Sequence, residues 1–160
     1  MFDWSTILPP KHNEYTGHKL SLYFLVLLGL MFTFRGCVHY FAPDGGSGII
    51  AGIPLASYPE GAVQTIINAF GGFGIGHLLE AAAVWLVLFR YRALIPLAYV
   101  WVVVSNGLAV ALLTVKPLPV VPPGQIGAYV LLPLTILFFL LSIRTPAARR
   151  SRTLGASDGQ

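Results

Sequence analysis

A histidine and a glutamate lie in the middle of a segment that is otherwise fit only for lipid. His77 and Glu80 belong to the stretch FGGFGIGHLLEAAAVWLVLFRYR, and their i,i+3 spacing places both side chains on one face of a helix. Arg35 and His39, spaced i,i+4 in an earlier apolar stretch, share a face of another helix. An ionisable side chain at mid-membrane costs about 2.5 kcal/mol or more, so it normally faces the bundle interior and pairs. These residues therefore predict ion-pair or acid/base chemistry inside a membrane.

Glu80 is the only acidic residue inside a predicted span, which limits the chemistry of this set. A di-metal carboxylate site needs two Glu-x-x-His motifs and two further carboxylates, so it is excluded within one chain. A mononuclear site from His39, His77 and Glu80 is a weaker alternative, and we predict no metal. Haem between the two histidines requires their helices to face each other. A triad of Ser105, His77 and Glu80 is disfavoured, because Glu80 shares the His77 helix and Arg35 competes for it.

The chain that carries these residues is strongly apolar. Hydrophobic residues make up 56% of its 160 residues and charged residues 10%, whereas a soluble domain carries about a quarter charged residues. The net charge of +4 does not indicate a nucleic-acid partner, because the basic residues lie at the ends of apolar stretches. We therefore predict an integral protein of a bacterial inner membrane, with membrane lipids as partners and no nucleic acid.

Four apolar stretches are long enough to span a membrane, which takes about 20 helical residues. They cover residues 19–41, 65–89, 93–115 and 124–143. The GIIAGIPLA part of the first loop is too short to cross, so we expect an interfacial or re-entrant segment there. The predicted fold is all-α: a four-helix transmembrane bundle over residues 19–143, with a polar lead at 1–18 and a basic, disordered tail at 144–160.

The positions of lysine and arginine predict the orientation. The lead, the short second loop and the tail carry them, whereas the first loop has none and the third has only Lys116. Because cytoplasmic segments carry the excess of Lys and Arg, both termini are predicted to be cytoplasmic. At a rise of about 1.5 Å per residue, this topology puts polar groups from all four helices into one layer, slightly outside the midplane. The members of this polar layer are Thr33, Arg35, His39, His77, Glu80, Ser105, Asn106 and Tyr129.

Arg35 and Glu80 are predicted to pair, since no other charge lies at their depth. The other members of the layer would supply the remaining hydrogen bonds. One interpretation is structural, in which the buried pair specifies helix register. The others are a site that binds or transforms a ligand, and a path for protons or ions.

Glycines in the second span predict close helix packing. Gly72 and Gly76 form a small-xxx-small pattern, which lets another helix approach closely. Gly29 and Gly36 on the first span offer a matching groove. The FGGFGIG stretch is not a nucleotide-binding loop, because it lacks the G-x-G-x-x-G spacing and no strand precedes it.

The chain combines four features of its sequence. They are four short spans, an arginine-glycine pair late in the first span, an APDGG sequence after that span, and a glycine-rich second span that ends in basic residues. The residues that carry these features are Arg35-Gly36, Pro43, Gly71-Gly72 and Arg90. In them the chain resembles the DoxX-like group of small membrane proteins. The resemblance implies a four-helix bundle, and some members of the group act as membrane subunits beside an oxidoreductase. It implies no catalytic residue for this chain.

The first predicted function is an accessory or scaffold subunit of a larger membrane complex. Its partners would be other membrane subunits or further copies of the chain. This prediction rests on the small size, the glycine-lined helix faces and the lack of a complete catalytic set.

The alternative function is a small enzyme or binding protein for a quinone, sterol or isoprenoid. Glu80 would then be the acid/base in a low-dielectric setting, with His77 relaying the proton. The residues that would hold a polar head group are Arg35, His39, Asn106 and Tyr129. A proton or ion path along the same layer is the third hypothesis. The sequence identifies no cofactor.

Overall fold

The chain forms four long helices in the computed structural model, which describes residue 8 and residues 10–117 and 121–144. The helices are α1 (Lys19–Phe41), α2 (Glu60–Arg90), α3 (Ile95–Val115) and α4 (Pro123–Ile143), with short 3-10 turns at Leu55–Ser57 and Arg92–Leu94. All four helices are long and apolar enough to cross a membrane. The all-α, four-helix prediction is therefore confirmed, whereas the cytoplasmic placement of the termini stays a prediction. The tail lies outside the described residues, apart from Arg144.

Local sequence explains where the helices begin. The His18 side chain caps α1 by accepting a hydrogen bond from the Leu20 amide at 3.2 Å. Pro123 occupies the first turn of α4, where its fixed φ and missing N–H cost little. Helix α2 begins at Glu60, before the predicted start at 65, because Pro59 precedes it and an acidic residue suits the first turn. Its 31 residues make it roughly 46 Å long, more than the ~30 Å of the hydrocarbon core.

The two ends of the bundle differ. We call the end with Lys19, Arg90 and Ile143 the terminal end, and the opposite end the loop end. The hydrophobic core lies in the half nearer the terminal end, and α1, α2 and α3 contribute to it. Its buried members are Leu25, Leu28, Phe32, Ala81, Val84, Leu88, Ile95, Tyr99 and Val102. No described residue of α3 beyond Val102 is buried, so the half nearer the loop end is more open.

Helices α1 and α2 pack the most closely. A Cβ on Gly36 would lie 2.8 Å from the Leu78 Cγ atom, and one on Gly74 would lie 2.7 Å from the Tyr40 backbone nitrogen. These two glycines therefore allow the backbones to touch. Gly29 also lies in this contact, because its Cβ would lie 3.1 Å from a Val84 methyl carbon. By contrast, nothing lies within 4 Å of a Cβ on Gly72 or Gly76.

The first loop is held together by Asp44. Its carboxylate accepts hydrogen bonds from the backbone amides of Gly46 at 2.8 Å, Ile49 at 2.9 Å and Gly48 at 3.1 Å. Gly45 and Gly46 have φ values of +60° and +75°, which other residues rarely adopt. The PDGG motif is thus a turn, and the GIIAGIPLA stretch continues as turns at the loop end.

Candidate functional site

Glu80 lies at the centre of the polar groups that the helices bring together. The Ser105 hydroxyl of α3 donates a hydrogen bond to Glu80 Oε1 at 3.1 Å. His77, one turn earlier on α2, places Nδ1 3.6 Å from Glu80 Oε2. The Glu80 side chain is 13% exposed and that of His77 22% exposed, so both are partly reachable. Glu80 therefore links α2 to α3 and uses one carboxylate oxygen for each neighbour.

The Ser105 hydroxyl has a second acceptor. Its Oγ also lies 3.1 Å from the Val102 carbonyl oxygen, one turn back on α3. A hydroxyl carries a single proton, so the two acceptors compete for it. Rotation toward Val102 frees a lone pair on Glu80, while rotation toward Glu80 stabilises the carboxylate. The hydroxyl can adapt in this way to another group arriving at Glu80.

The ring of His77 is stacked between two aromatic rings of α1. Its centroid lies 5.9 Å from that of Phe32 and 6.0 Å from that of His39. His39 Nδ1 lies 2.7 Å from the Gly45 carbonyl oxygen. A carbonyl can only accept, so Nδ1 of His39 carries a proton, and Nε2 is the acceptor whenever the ring is neutral. The two predicted histidines are thus brought together, and the first loop fixes one of them.

The predicted contact pair of Arg35 with Glu80 is not formed. No described carboxylate lies within 4.0 Å of the Arg35 guanidinium. Instead, Arg35 Nη2 lies 3.1 Å from the position that a Cβ on Gly124 would take. The guanidinium therefore lies against the first turn of α4, where a larger residue would displace it.

Two other predicted members of the polar layer make no hydrogen bond to Glu80 in the part of the chain that the structure describes. Asn106 donates a hydrogen bond to the Val102 carbonyl of its own helix at 2.9 Å. Tyr129 is 45% exposed and makes no hydrogen bond to a described residue. The reason lies in α4, whose buried positions are small residues spaced by seven, Ala128, Thr135 and Ser142. This spacing turns Tyr129 away from the bundle interior.

Thr33 is used within the first helix pair. Its hydroxyl donates to the Gly29 carbonyl at 2.7 Å and accepts from Trp85 Nε1 at 3.0 Å. Both bonds join or stiffen α1 and α2 without contacting Glu80. Thr33 is therefore a packing residue.

The geometry bears on the other chemistries that the sequence left open. Within the described ranges, no three His, Cys, Asp or Glu side chains are placed to hold a metal ion. A porphyrin between His39 and His77 needs a gap, but a Gly74 Cβ would lie 3.0 Å from the His39 carbonyl carbon, so the helices already touch there. In a hydrolase triad the histidine lies between nucleophile and acid. Here Glu80 lies between Ser105 and His77, so that triad is not formed.

An apolar groove between α2 and α3, which the sequence did not predict, ends one helical turn from Glu80. Its cavity holds about 300 Å³. The α2 wall includes Val84 and the α3 wall includes Trp101. Glu80 lies one helical turn from Val84 on the side toward the loop end. Ser105 lies one turn from Trp101 on the same side. The groove is therefore apolar along its length, with the Glu80–Ser105 hydrogen bond beyond one end.

The chain matches no protein-family model, no curated protein and no solved structure. The resemblance to the DoxX-like group accordingly stays a prediction.

Proposed function

We propose that the protein binds a lipid-soluble molecule whose polar head group contacts Glu80 and whose apolar part occupies the groove between α2 and α3. The observation that carries this proposal is the Glu80–Ser105 hydrogen bond at the end of an apolar groove. The chemical class is a molecule with a hydroxyl or carbonyl head and a hydrocarbon body, such as a quinone, sterol or isoprenoid.

Glu80 has capacity for a further hydrogen bond. An ionised carboxylate offers about four lone-pair positions, and Ser105 fills one of them. His77 Nδ1, at 3.6 Å, is beyond ordinary hydrogen-bond distance. A hydroxyl donor on a ligand would therefore gain a charge-assisted bond in a setting of low dielectric. Ser105 can donate its proton to a carbonyl ligand instead.

The same arrangement supports acid/base chemistry on a bound head group. A ligand hydroxyl that loses its proton would transfer it to a Glu80 oxygen, and the adjacent His77 could accept it from there. Arg35, a cation of the same polar layer, would favour the negative charge that develops on the ligand oxygen. We propose binding of the ligand. Whether the bound ligand is also chemically changed would be measured by incubating the isolated ligand with the protein and following its conversion.

The arrangement of Arg35 weighs against a purely structural role for the layer. A register-setting ion pair needs its two charges in contact, with their remaining hydrogen bonds satisfied. Arg35 instead lies against α4, and Glu80 contacts Ser105 and His77. This leaves the carboxylate open to a ligand.

The test is to extract the full-length chain gently into nanodiscs and to identify copurifying small molecules by native mass spectrometry. We expect one defined lipid-soluble compound in fixed ratio to the protein. Glu80→Gln and Ala83→Leu, which change the head contact and fill the groove, should lower its occupancy about tenfold or more. Glu60→Gln and Ala82→Leu are the matched controls outside the site, and they should retain it. A wild-type protein that carries only bulk phospholipid would overturn the proposal.

An accessory-subunit role is a second candidate, favoured by the uncovered face of α2. Gly72 and Gly76 have nothing within 4 Å of a Cβ, so another helix can approach there. Proteins that copurify in fixed ratio, and that are lost when Gly72→Leu or Gly76→Leu is introduced, would support this role. Gly61→Leu, also uncovered in the described part of the chain, is the control.

A further inference from the structure

A second cavity lies at the terminal end, away from Glu80. It holds about 360 Å³ and forms where the N-terminal lead folds back over the helix ends. Polar residues of the lead line it, and so do the basic residues Lys19 and Arg92 and the apolar residue Leu22. Neither the proposed head-group site nor the α2–α3 groove includes any of these residues. The cavity is therefore separate from the proposed ligand site.

The lead is held in place by hydrogen bonds to two helix ends. The His12 amide donates to the Arg90 carbonyl at 3.1 Å, and the Asn13 side-chain amide donates to the Phe89 carbonyl at 3.2 Å. The His18 amide donates to the Leu141 carbonyl at 3.2 Å. These bonds join the lead to the ends of α2 and α4, so the cavity has fixed walls.

The charge of the cavity is positive. No described carboxylate lies within 4.0 Å of Lys19 or Arg92, and no acidic residue is among the residues that line the cavity. Arg92 donates through Nε to the Leu88 carbonyl at 2.8 Å. That bond leaves the two terminal nitrogens of the guanidinium for another acceptor. Two cations that share one cavity without a counter-charge are complementary to a phosphate.

The surroundings select the form of the phosphate. Leu22 lies in the cavity wall one turn from Lys19, and α1 continues with the exposed apolar side chains Tyr23 and Leu27. A phospholipid places its charged phosphate beside hydrocarbon in the same way. The excess of Lys and Arg predicts that this end faces the cytoplasm, where the membrane surface is negative.

We infer that this cavity binds the phosphate of an anionic phospholipid head group. Lys19 and Arg92 provide the charge, and Thr16 and Asn13 also line the cavity. Acyl chains of the lipid would follow the exposed face of α1. The lipid would thereby join the lead to α1 and to the turn between α2 and α3.

The test is titration of the full-length, detergent-solubilised protein with phosphatidylglycerol or phosphatidylcholine, followed by native mass spectrometry. We expect phosphatidylglycerol to bind in preference, with a loss of about five-fold in affinity for each cation removed by Lys19→Gln or Arg92→Gln. Arg144→Gln removes an exposed cation at the same end but outside the cavity, so it should leave the preference unchanged.

Two further measurements distinguish a loss of lipid binding from a loss of the fold. The Lys19 side chain makes no hydrogen bond within the described part of the chain, so Lys19→Gln should keep the fold, as checked by circular dichroism. Arg92→Lys, which retains the charge, should bind nearly as wild type does. The proposed site is overturned if Arg144→Gln loses as much affinity for phosphatidylglycerol as Lys19→Gln does, or if Lys19→Gln loses none. Displacement of the lipid by equimolar inorganic phosphate would overturn a lipid as its occupant in favour of a soluble phosphate.

Discussion

Glu80 shows how one carboxylate can serve two neighbours without forming the expected ion pair. Its bond to Ser105 joins two helices, whereas Arg35 lies beyond the 4.0 Å distance of an ion pair. Side-chain types and depth could predict that Glu80, His77 and Arg35 share a layer. They could not predict which atoms meet, because a difference of one turn or a small helix rotation decides between contact and longer range.

Double-mutant cycles should therefore separate the two partners of Glu80. The Glu80→Gln and Ser105→Ala cycle should give a coupling of about 1 kcal/mol, the net contribution of a typical hydrogen bond within a protein. The Glu80→Gln and Arg35→Gln cycle should give a clearly smaller coupling. Thermal unfolding in detergent measures both, and a larger coupling for Arg35 would mean that the two charges are in contact.

Asp44 makes the first loop sensitive to acid. Hydrogen bonds from the backbone amides of Ile49 and Gly46, and more weakly Gly48, hold the pKa of the Asp44 carboxyl below its ordinary value of 3.8. Because the folded pKa is depressed, this stabilisation is present above about pH 4 and is lost as pH falls through the folded pKa. Asp44→Asn should lack this loss. Unfolding temperatures of wild type and Asp44→Asn, measured from pH 6 to pH 3, should converge at the acid end.

At the scale of the helices, the ends of the spans could be predicted to within about five residues and their rotations could not. The predicted first span coincides with Lys19–Phe41 because polar residues bound that apolar run on both sides. Nearly uniform apolar helices, however, carry no polar stripe that states which face points inward. Gly72 and Gly76 were expected to meet the glycines of α1, but Gly74 makes that contact. The 45% exposure of Tyr129 likewise depends on the rotation of α4, and its role in the polar layer stays a prediction.

Alanine substitutions in α2 should reveal this rotation. Gly74→Ala should lower stability by about 1–3 kcal/mol, because the new Cβ would overlap the Tyr40 backbone at 2.7 Å. Gly72→Ala and Gly76→Ala meet no atom within 4 Å, so they should be neutral or gain up to about 1 kcal/mol from helix propensity. Unfolding of the isolated chain in detergent tests all three. A loss for Gly76→Ala as large as for Gly74→Ala would contradict this packing.

For the whole molecule, the two ends differ in packing and in charge. The terminal end holds the core, the bound lead and the cationic cavity, whereas the half toward the loop end is more open. Glu80, which precedes the core residue Ala81, lies near the boundary between the two halves. A closely packed end beside an open one agrees with the proposed binding of a ligand from the side. The sequence predicts the charge difference between the ends. It does not predict that the lead folds over the helices, because that depends on backbone hydrogen bonds, which do not require particular residue types.

Cysteine labelling should establish which end faces the cytoplasm. Cys37, the only cysteine, is first replaced by alanine. Ile49, 90% exposed at the loop end, and Arg144 at the terminal end are then changed to cysteine in turn. The bias of Lys and Arg predicts that a membrane-impermeant maleimide labels Ile49→Cys in intact cells and Arg144→Cys only after permeabilisation. The opposite pattern would place the Lys19–Arg92 cavity at the outer leaflet, where the surface charge that favours an anionic lipid is weaker.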